Sequence, residues 1–353
     1  MSIFRLSVVI SILLSALLAQ PQPATLHPFL AGSHWGFIDK RGTVKIKPEF
    51  DSANRFSDGL AAVKKDGRWG YVNLEGRIVI DYHFLAEPGF FSEGRAASRA
   101  ADQKNDQLGF LDRKGEFVVE PQFDRALYYS KGLVAVLKNG KWRYLDLSGR
   151  VVIPAEFEDA ASFHEGLARV RIGNKVGFID HLGGMVIESN FDAAGNFSGG
   201  LAPVAKRDGD LKWGYIDRQG KLSVPLQFDS AGEFSEGLAP VQKGFLWGFV
   251  DSTGDFVIPA RYLYAQHFSY GVAAVQLRET RRYGYVDHYG VLRISAQFSS
   301  TWDFSGDGVA RVGIPEKVSR GPTASGAHGS PWWGYIDSSG RLFWSYGPPM
   351  KAQ

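Results

Sequence analysis

The sequence has no cysteine, and that one absence removes several classes of protein. No disulfide framework, thiol nucleophile, zinc ribbon or lipid-bearing N-terminal cysteine can be built from it. An excess of either charge is missing as well. Forty Lys and Arg face 37 Asp and Glu, a formal net of +3, which makes no electrostatic case for nucleic acid. Proline is sparse, 16 residues against 42 glycines, so the chain has many tight turns between short segments, the composition of an all-β protein. Long hydrophobic runs are lacking too: the run Leu6 to Leu18 is 13 residues, short of the ~20 that cross a bilayer. Arg5 precedes that run, and Ala16 and Ala19 lie just before Gln20. The pattern predicts a Sec-type signal peptide over residues 1–19, hence export to the periplasm or the outside of a bacterial cell.

What is present is a repeat. Trp-Gly pairs begin at Trp35, Trp69, Trp213, Trp247 and Trp333, and degenerate copies at Leu108-Gly109, Trp142-Arg143, Val176-Gly177 and Tyr283-Gly284 fill the gaps. The nine starts are 34, 39, 34, 34, 37, 34, 36 and 50 residues apart, a base period of 34 with insertions. Two residues after each start stands an aromatic (Phe37, Tyr71, Phe110, Tyr144, Phe178, Tyr215, Phe249, Tyr285, Tyr335), and three after it Ile, Val or Leu. Four residues on stands Asp, or Asn73 in one copy, and seven on stands Gly in every copy. The stretch Trp213-Gly214-Tyr215-Ile216-Asp217 through Phe228-Asp229-Ser230-Ala231 to Phe234-Ser235-Glu236-Gly237-Leu238-Ala239 resembles the bacterial WG-repeat (KWG) family almost letter for letter. The resemblance implies a tandem array that mediates interactions rather than a defined reaction.

Each unit reads as three antiparallel strands: Trp-Gly-aromatic-aliphatic-Asp, an aliphatic strand, and a Leu-Ala-x-Val strand. Asp-x-x-Gly makes the first hairpin turn, the carboxylate bonding amides two residues on and the glycine taking a positive φ. Pro48, Pro121, Pro154, Pro225 and Pro259 are expected to end the second strand, since proline cannot donate to a ladder. An irregular link with two aromatic slots, such as Phe157 and Phe163, ends in Phe-Ser-Glu-Gly. A tight turn such as Asp66-Gly67 or Asn139-Gly140 then leads into the next unit. One such unit is too small to fold alone, so the units are expected to stack on a shared aromatic interior. The organisation is a short linker over 20–33, an array of eight full units and a terminal half unit over 34–344, and a tail over 345–353. Because the array begins and ends on the same half unit, at Trp35 and Trp333, an open superhelix is the expected arrangement, with a closed propeller-like ring as the alternative. Units lacking the full Trp-Gly pair are expected to pack less regularly.

The sequence offers no Gly-x-Ser-x-Gly elbow, no phosphate-binding glycine loop and no His-Glu-x-x-His. No catalytic, cofactor or metal residue is therefore assigned. The Asp series from Asp39 to Asp337 could form an acidic strip for calcium, but the hairpin turns already account for it. Glu93, Glu165 and Glu236 are read as stabilising their turns. His181 and His288 share one register, and His164 and His267 lie beside the Phe-Ser link, with no metal-ligand spacing. The insertions Ala101–Gln107, Arg207–Leu211, Glu279–Arg282 and Gly313–Pro331 fall in the turns between units, so all are expected on one edge, where variable loops meet partners. These observations predict an exported protein-interaction module with a partner at the cell envelope. A glycan or peptidoglycan binder using exposed aromatics is the first alternative. A hydrolase with an active site between repeats is the second.

Overall fold

The computed structural model describes residues 25–100, 106–315 and 332–346. The proposed signal peptide lies outside them, as do most of the last insertion and of the tail. Among the described residues there is no helix, and none is long and apolar enough to cross a membrane. The strands form nine separate antiparallel sheets, seven of four strands and two of three.

A four-stranded blade is typified by Ser230–Ala231, Ala239–Lys243, Leu246–Val250 and Phe256–Tyr262, in that spatial order. These are a short strand, the Leu-Ala strand, the Trp strand and the proline strand. The sequence unit therefore straddles two blades: its Trp and proline strands close one, and its short and Leu-Ala strands open the next. Blade 1 consists of His27–Ala31, His34–Ile38 and Val44–Phe50, and blade 9 of Ser300–Thr301, Val309–Gly313, Trp333–Asp337 and Leu342–Tyr346. The strand His27–Ala31 lies in the stretch read as linker. It lacks the Leu-Ala-x-Val letters, yet it pairs with Trp35 and its neighbours as a Leu-Ala strand does elsewhere.

The prolines do not end their strands. Val44–Phe50 runs through Pro48, and Trp35 pairs with Phe50 while Phe37 pairs with Ile46, so four residues of the proline strand span two of the Trp strand. The surplus forms a bulge over Gly36, where a Cβ would stand 2.6 Å from the Ile46 carbonyl oxygen and 2.7 Å from the Pro48 nitrogen. This couples Gly36 to the proline 12 residues on. The glycine leaves room for the bulge, and the proline stands on an edge strand, where a missing N–H does no harm. Copies that depart from Trp-Gly keep the register: Leu108 pairs with Phe123, Trp142 with Phe157, Val176 with Phe191 and Tyr283 with Phe298. The register holds because three of those four retain the glycine, and the fourth, Arg143, reaches across to Glu156 at 2.6 Å, although the Leu108 copy stands in one of the two three-stranded sheets.

Blades join through the aromatic slots. The aromatic of each Trp strand meets the aromatic of the following blade's Phe-Ser link at 4.8–5.2 Å between ring centroids, from Phe37–Phe56 to Tyr285–Phe304. Tyrosines in that slot also donate to the link's backbone, as Tyr215 does to the Gly232 carbonyl (2.9 Å) and Tyr285 to that of Trp302 (2.9 Å). In blade 9 both contacts turn back to the start of the chain. Tyr335 lies 5.2 Å from His27 and donates to the Pro28 carbonyl at 2.9 Å. Trp35 stacks on Trp333 at 5.9 Å, and Phe29, Ile38, Val309, Trp333 and Tyr335 form one buried cluster. The nine blades therefore close into a propeller ring, and the open superhelix is not formed. Matching half units at Trp35 and Trp333 did not prevent closure, because His27–Ala31 completes the first blade and the last blade packs flat against it without sharing a strand.

Candidate functional site

In an antiparallel blade the connections alternate between two faces. One face carries the Phe-Ser links and the Asp-x-x-Gly turns. The other carries the turns between Leu-Ala and Trp strands, together with the crossings from one blade to the next.

On the first face, the Asp series belongs to its own turns. In all nine copies one carboxylate oxygen, or the Asn73 amide oxygen, accepts the amides two and four residues on, as Asp217 does from Gln219 (3.0 Å) and Lys221 (2.9 Å). The Ser148 hydroxyl, followed by the Arg150 and Ser148 amides, holds the Asp146 carboxyl well below the usual carboxylate range. For Asp39 and Asp287 burial pushes upward, and the turn amides outweigh it. No group of His, Asp and Glu able to hold a metal occurs among the described residues.

Glu93, Glu165 and Glu236 reach further than their own turns. Glu165 accepts the Gly199 and Gly200 amides of the next blade's link (2.8 and 3.0 Å), and Glu93 those of Lys131 and Gly132 (both 2.8 Å). The serine beside them makes a parallel hop, Ser235 donating to the Phe268 carbonyl at 2.7 Å and Ser57 to that of Phe91 at 2.8 Å. His181 and His288 stack on Phe163 and Phe268 at 4.1 and 4.2 Å. His267 lies 3.2 Å from Asp303, and His164 pairs its backbone with Leu167.

The residue that sequence reading missed is His27. It fills the ninth aromatic slot, and its Nε2 lies 2.8 Å from Asp307 Oδ2 with both side chains buried. Ser305 Oγ is 2.7 Å from the other carboxylate oxygen, so Ser, His and Asp do meet here. The carboxylate sits between the other two, whereas activation of a hydroxyl requires the imidazole in the middle. Burial raises the Asp307 carboxyl, but the bonds from His27 and Ser305 outweigh that and hold it low, which makes it a poor base. The only sequence signal was positional: the slot that Tyr335 needs is supplied by no Phe-Ser link after it. Beside this seam the face opens into a hollow of about 850 Å³, lined by Leu26, Lys40, Arg41, Leu74, Tyr270 and Asp307 among others.

Tryptophans of the repeat slot face inward or are half-covered: Trp69, Trp142 and Trp333 are buried. The two most exposed aromatics, Phe245 (92%) and Tyr289 (84%), stand on opposite faces and form no stacking platform.

On the second face, an acid just after five of the proline strands, Asp51, Asp124, Glu158, Asp192 and Asp229, caps the turn before the Trp strand. Asp229 accepts the Gly244 amide (2.7 Å), Asp192 that of Arg207 (2.8 Å) and Asp124 that of Asn139 (2.9 Å). All four insertions emerge here, between Ala96–Arg99 and Leu108–Leu111, Ala202–Asp208 and Asp210–Ile216, Val272–Gln276 and Tyr283–Val286, and Val309–Gly313 and Trp333–Asp337. The second lengthens its hairpin instead of looping out, with Asp208 pairing Asp210 around Gly209.

No curated protein matches the sequence. Among solved structures, Hsv2 of Kluyveromyces lactis has a TM-score of 0.41 at 9% identity, covering 67% of this chain and 92% of its own. The dihydro-heme d1 dehydrogenase NirN has a TM-score of 0.41 at 12% identity, covering 82% of this chain and 68% of its own. The family model described as a WG containing repeat matches residues 35–69, 69–97, 109–142, 142–175, 177–209, 213–244, 247–279 and 283–314. With those eight matched segments spanning nearly the whole array, the chain belongs to the WG-repeat family.

Proposed function

We propose that this ring is an exported, non-catalytic interaction module that recognises a protein at the cell envelope through the face bearing the inter-strand insertions. The observation that carries the reading is that the strands flanking all four insertions, which differ in length, turn on one face of an otherwise repetitive ring. The blades fix where each insertion leaves the ring, the usual division of labour between scaffold and binding loops. Export rests on the Arg5 and Leu6–Leu18 pattern. The absence of catalysis rests on the Asp series being used by its own turns and on the order of His27, Asp307 and Ser305.

The test is a pull-down from the cognate envelope with the chain lacking residues 1–19, beside a variant in which Arg207–Leu211 and Glu279–Arg282 are replaced by Asp-Gly turns like Asp66-Gly67. Recovery of one stoichiometric protein by the parent and its loss with the variant is the expected result. Retention on purified cell wall alone, undiminished in the variant, would overturn the proposal in favour of glycan recognition.

A further inference from the structure

The hollow beside the seam uses its charges differently from two other blade junctions. In blade 3 the residue after the turn position leans onto an acid of the preceding blade's link: Arg113 lies 3.0 Å from Asp58. In blade 8 His288 does the same, 3.2 Å from Glu236. The equivalent residue in blade 1 is Lys40, and the equivalent acid is Asp307. Asp307, however, has both oxygens occupied, one by His27 and one by Ser305. Lys40 and its neighbour Arg41 thus line the hollow with no ion pair among the described residues, while Lys45 lies 3.4 Å from Asp39.

The lining also has apolar members, Leu26, Leu74 and Tyr270, and the last has an unusual backbone. Tyr270 has φ 57° in the link position where other blades place Asp58, Glu93, Lys131, Glu165, Gly199 or Glu236, all at similar positive φ. The turn sets this φ in each of those blades, and a bulky aromatic there costs energy that glycine would avoid. Tyr270 is 46% exposed, its ring lies 3.6 Å from where a Cβ on Gly308 would stand, and it lines the same hollow as Leu26 and Leu74.

We propose that the hollow is a binding site for a small organic monoanion, its carboxylate, sulfonate or phosphodiester held by Lys40 and Arg41 and its apolar body by Tyr270, Leu26 and Leu74. The volume of about 850 Å³ is within the range of ligand pockets. Asp39, Glu75 and Asp307 also line it. The first and third are engaged by the turn amides and by His27 with Ser305, and Glu75 supplies an opposing charge that disfavours a polyanion. The site lies on the face opposite the insertions, so it is independent of the protein-binding reading.

The probe is 8-anilinonaphthalene-1-sulfonate, compared with the uncharged N-phenyl-1-naphthylamine, which carries the same rings. The full chain without residues 1–19 is expected to bind the sulfonate saturably at one site, at least tenfold tighter than the neutral dye. Lys40→Glu with Arg41→Glu is expected to weaken the sulfonate at least tenfold with the thermal midpoint unchanged. Tyr270→Gly is expected to weaken it severalfold while raising the midpoint, since the backbone strain is relieved. Equal affinity for the neutral dye, or an unaltered affinity in either variant, would overturn the proposal. The variant with shortened insertions is expected to bind the dye normally, so failure of the one reading leaves the other standing.

Discussion

At the scale of residues, the Asp at the first hairpin turn is the clearest example of a side chain whose chemistry is consumed by the backbone. Asp217 accepts two amides, and Asp217→Ala is expected to lower stability by about 1 kcal/mol, the net worth of such bonds at an exposed turn. Asp217→Asn should restore most of it, because Asn73 makes the same two bonds in blade 2. Denaturant titration of the two variants checks this. The turn also predicts the response to acid. Asp39, Asp146, Asp251, Asp287 and Asp337 all have carboxyls held below their unfolded values, so the fold binds the ionised form preferentially. Their stabilisation is complete above the unfolded value of about 3.9 and is lost as pH falls from there toward the folded values. The thermal midpoint is expected to be insensitive to these groups from pH 7 to 5 and to drop below about pH 4. Asp251→Asn should lose less between pH 5 and 3 than the parent does.

The element that decides blade geometry is the bulge of the proline strand over the glycine of Trp-Gly. At Gly248 an added Cβ would stand 2.5 Å from the Ile258 carbonyl oxygen and 2.6 Å from the Ala260 nitrogen, both backbone atoms. Gly248→Ala is therefore expected to cost about 1–3 kcal/mol, as overpacking does. Trp247→Leu, by contrast, should keep the register, since Leu108 holds it in blade 3. Amide hydrogen exchange along Phe256–Tyr262 distinguishes a local shift from loss of the blade. The repeating letters made the Trp strand, its turn and its aliphatic partner legible in advance. The bulge was not legible, because proline signals only that an amide is missing; whether the strand stops or continues as an edge depends on its neighbour.

For the molecule as a whole, the informative junction is the seam. Tyr335 makes across 307 residues the bond that Tyr215 makes across 17. Tyr335→Phe and Tyr215→Phe are therefore expected to cost the same, about 1 kcal/mol each. A Tyr335→Phe variant with no loss while Tyr215→Phe is destabilised would mean that the ring stands open in solution. Removing residues through Ala31 should raise hydrogen exchange at His34–Ile38 and Trp333–Asp337 and leave blades 4 to 6 protected, because each blade touches only its neighbours.

The sequence by itself determined what depends on neighbours a few residues apart: the turns, the alternation of buried and exposed positions, the aromatic slots and the repeat. It also showed that the Asp series serves hairpins, since that requirement is met within five residues. Closure was decided only by the tertiary structure. It depends on the rotation between blades accumulating to one full turn over nine copies, and on a segment, His27–Ala31, that resembles no repeat and acquires its role by meeting Tyr335 and Asp307. The same contact occupies Asp307 and leaves Lys40 and Arg41 to the hollow. A site assembled from the two ends of a chain has no local signature, because the distances that define it exist only once the ring has closed.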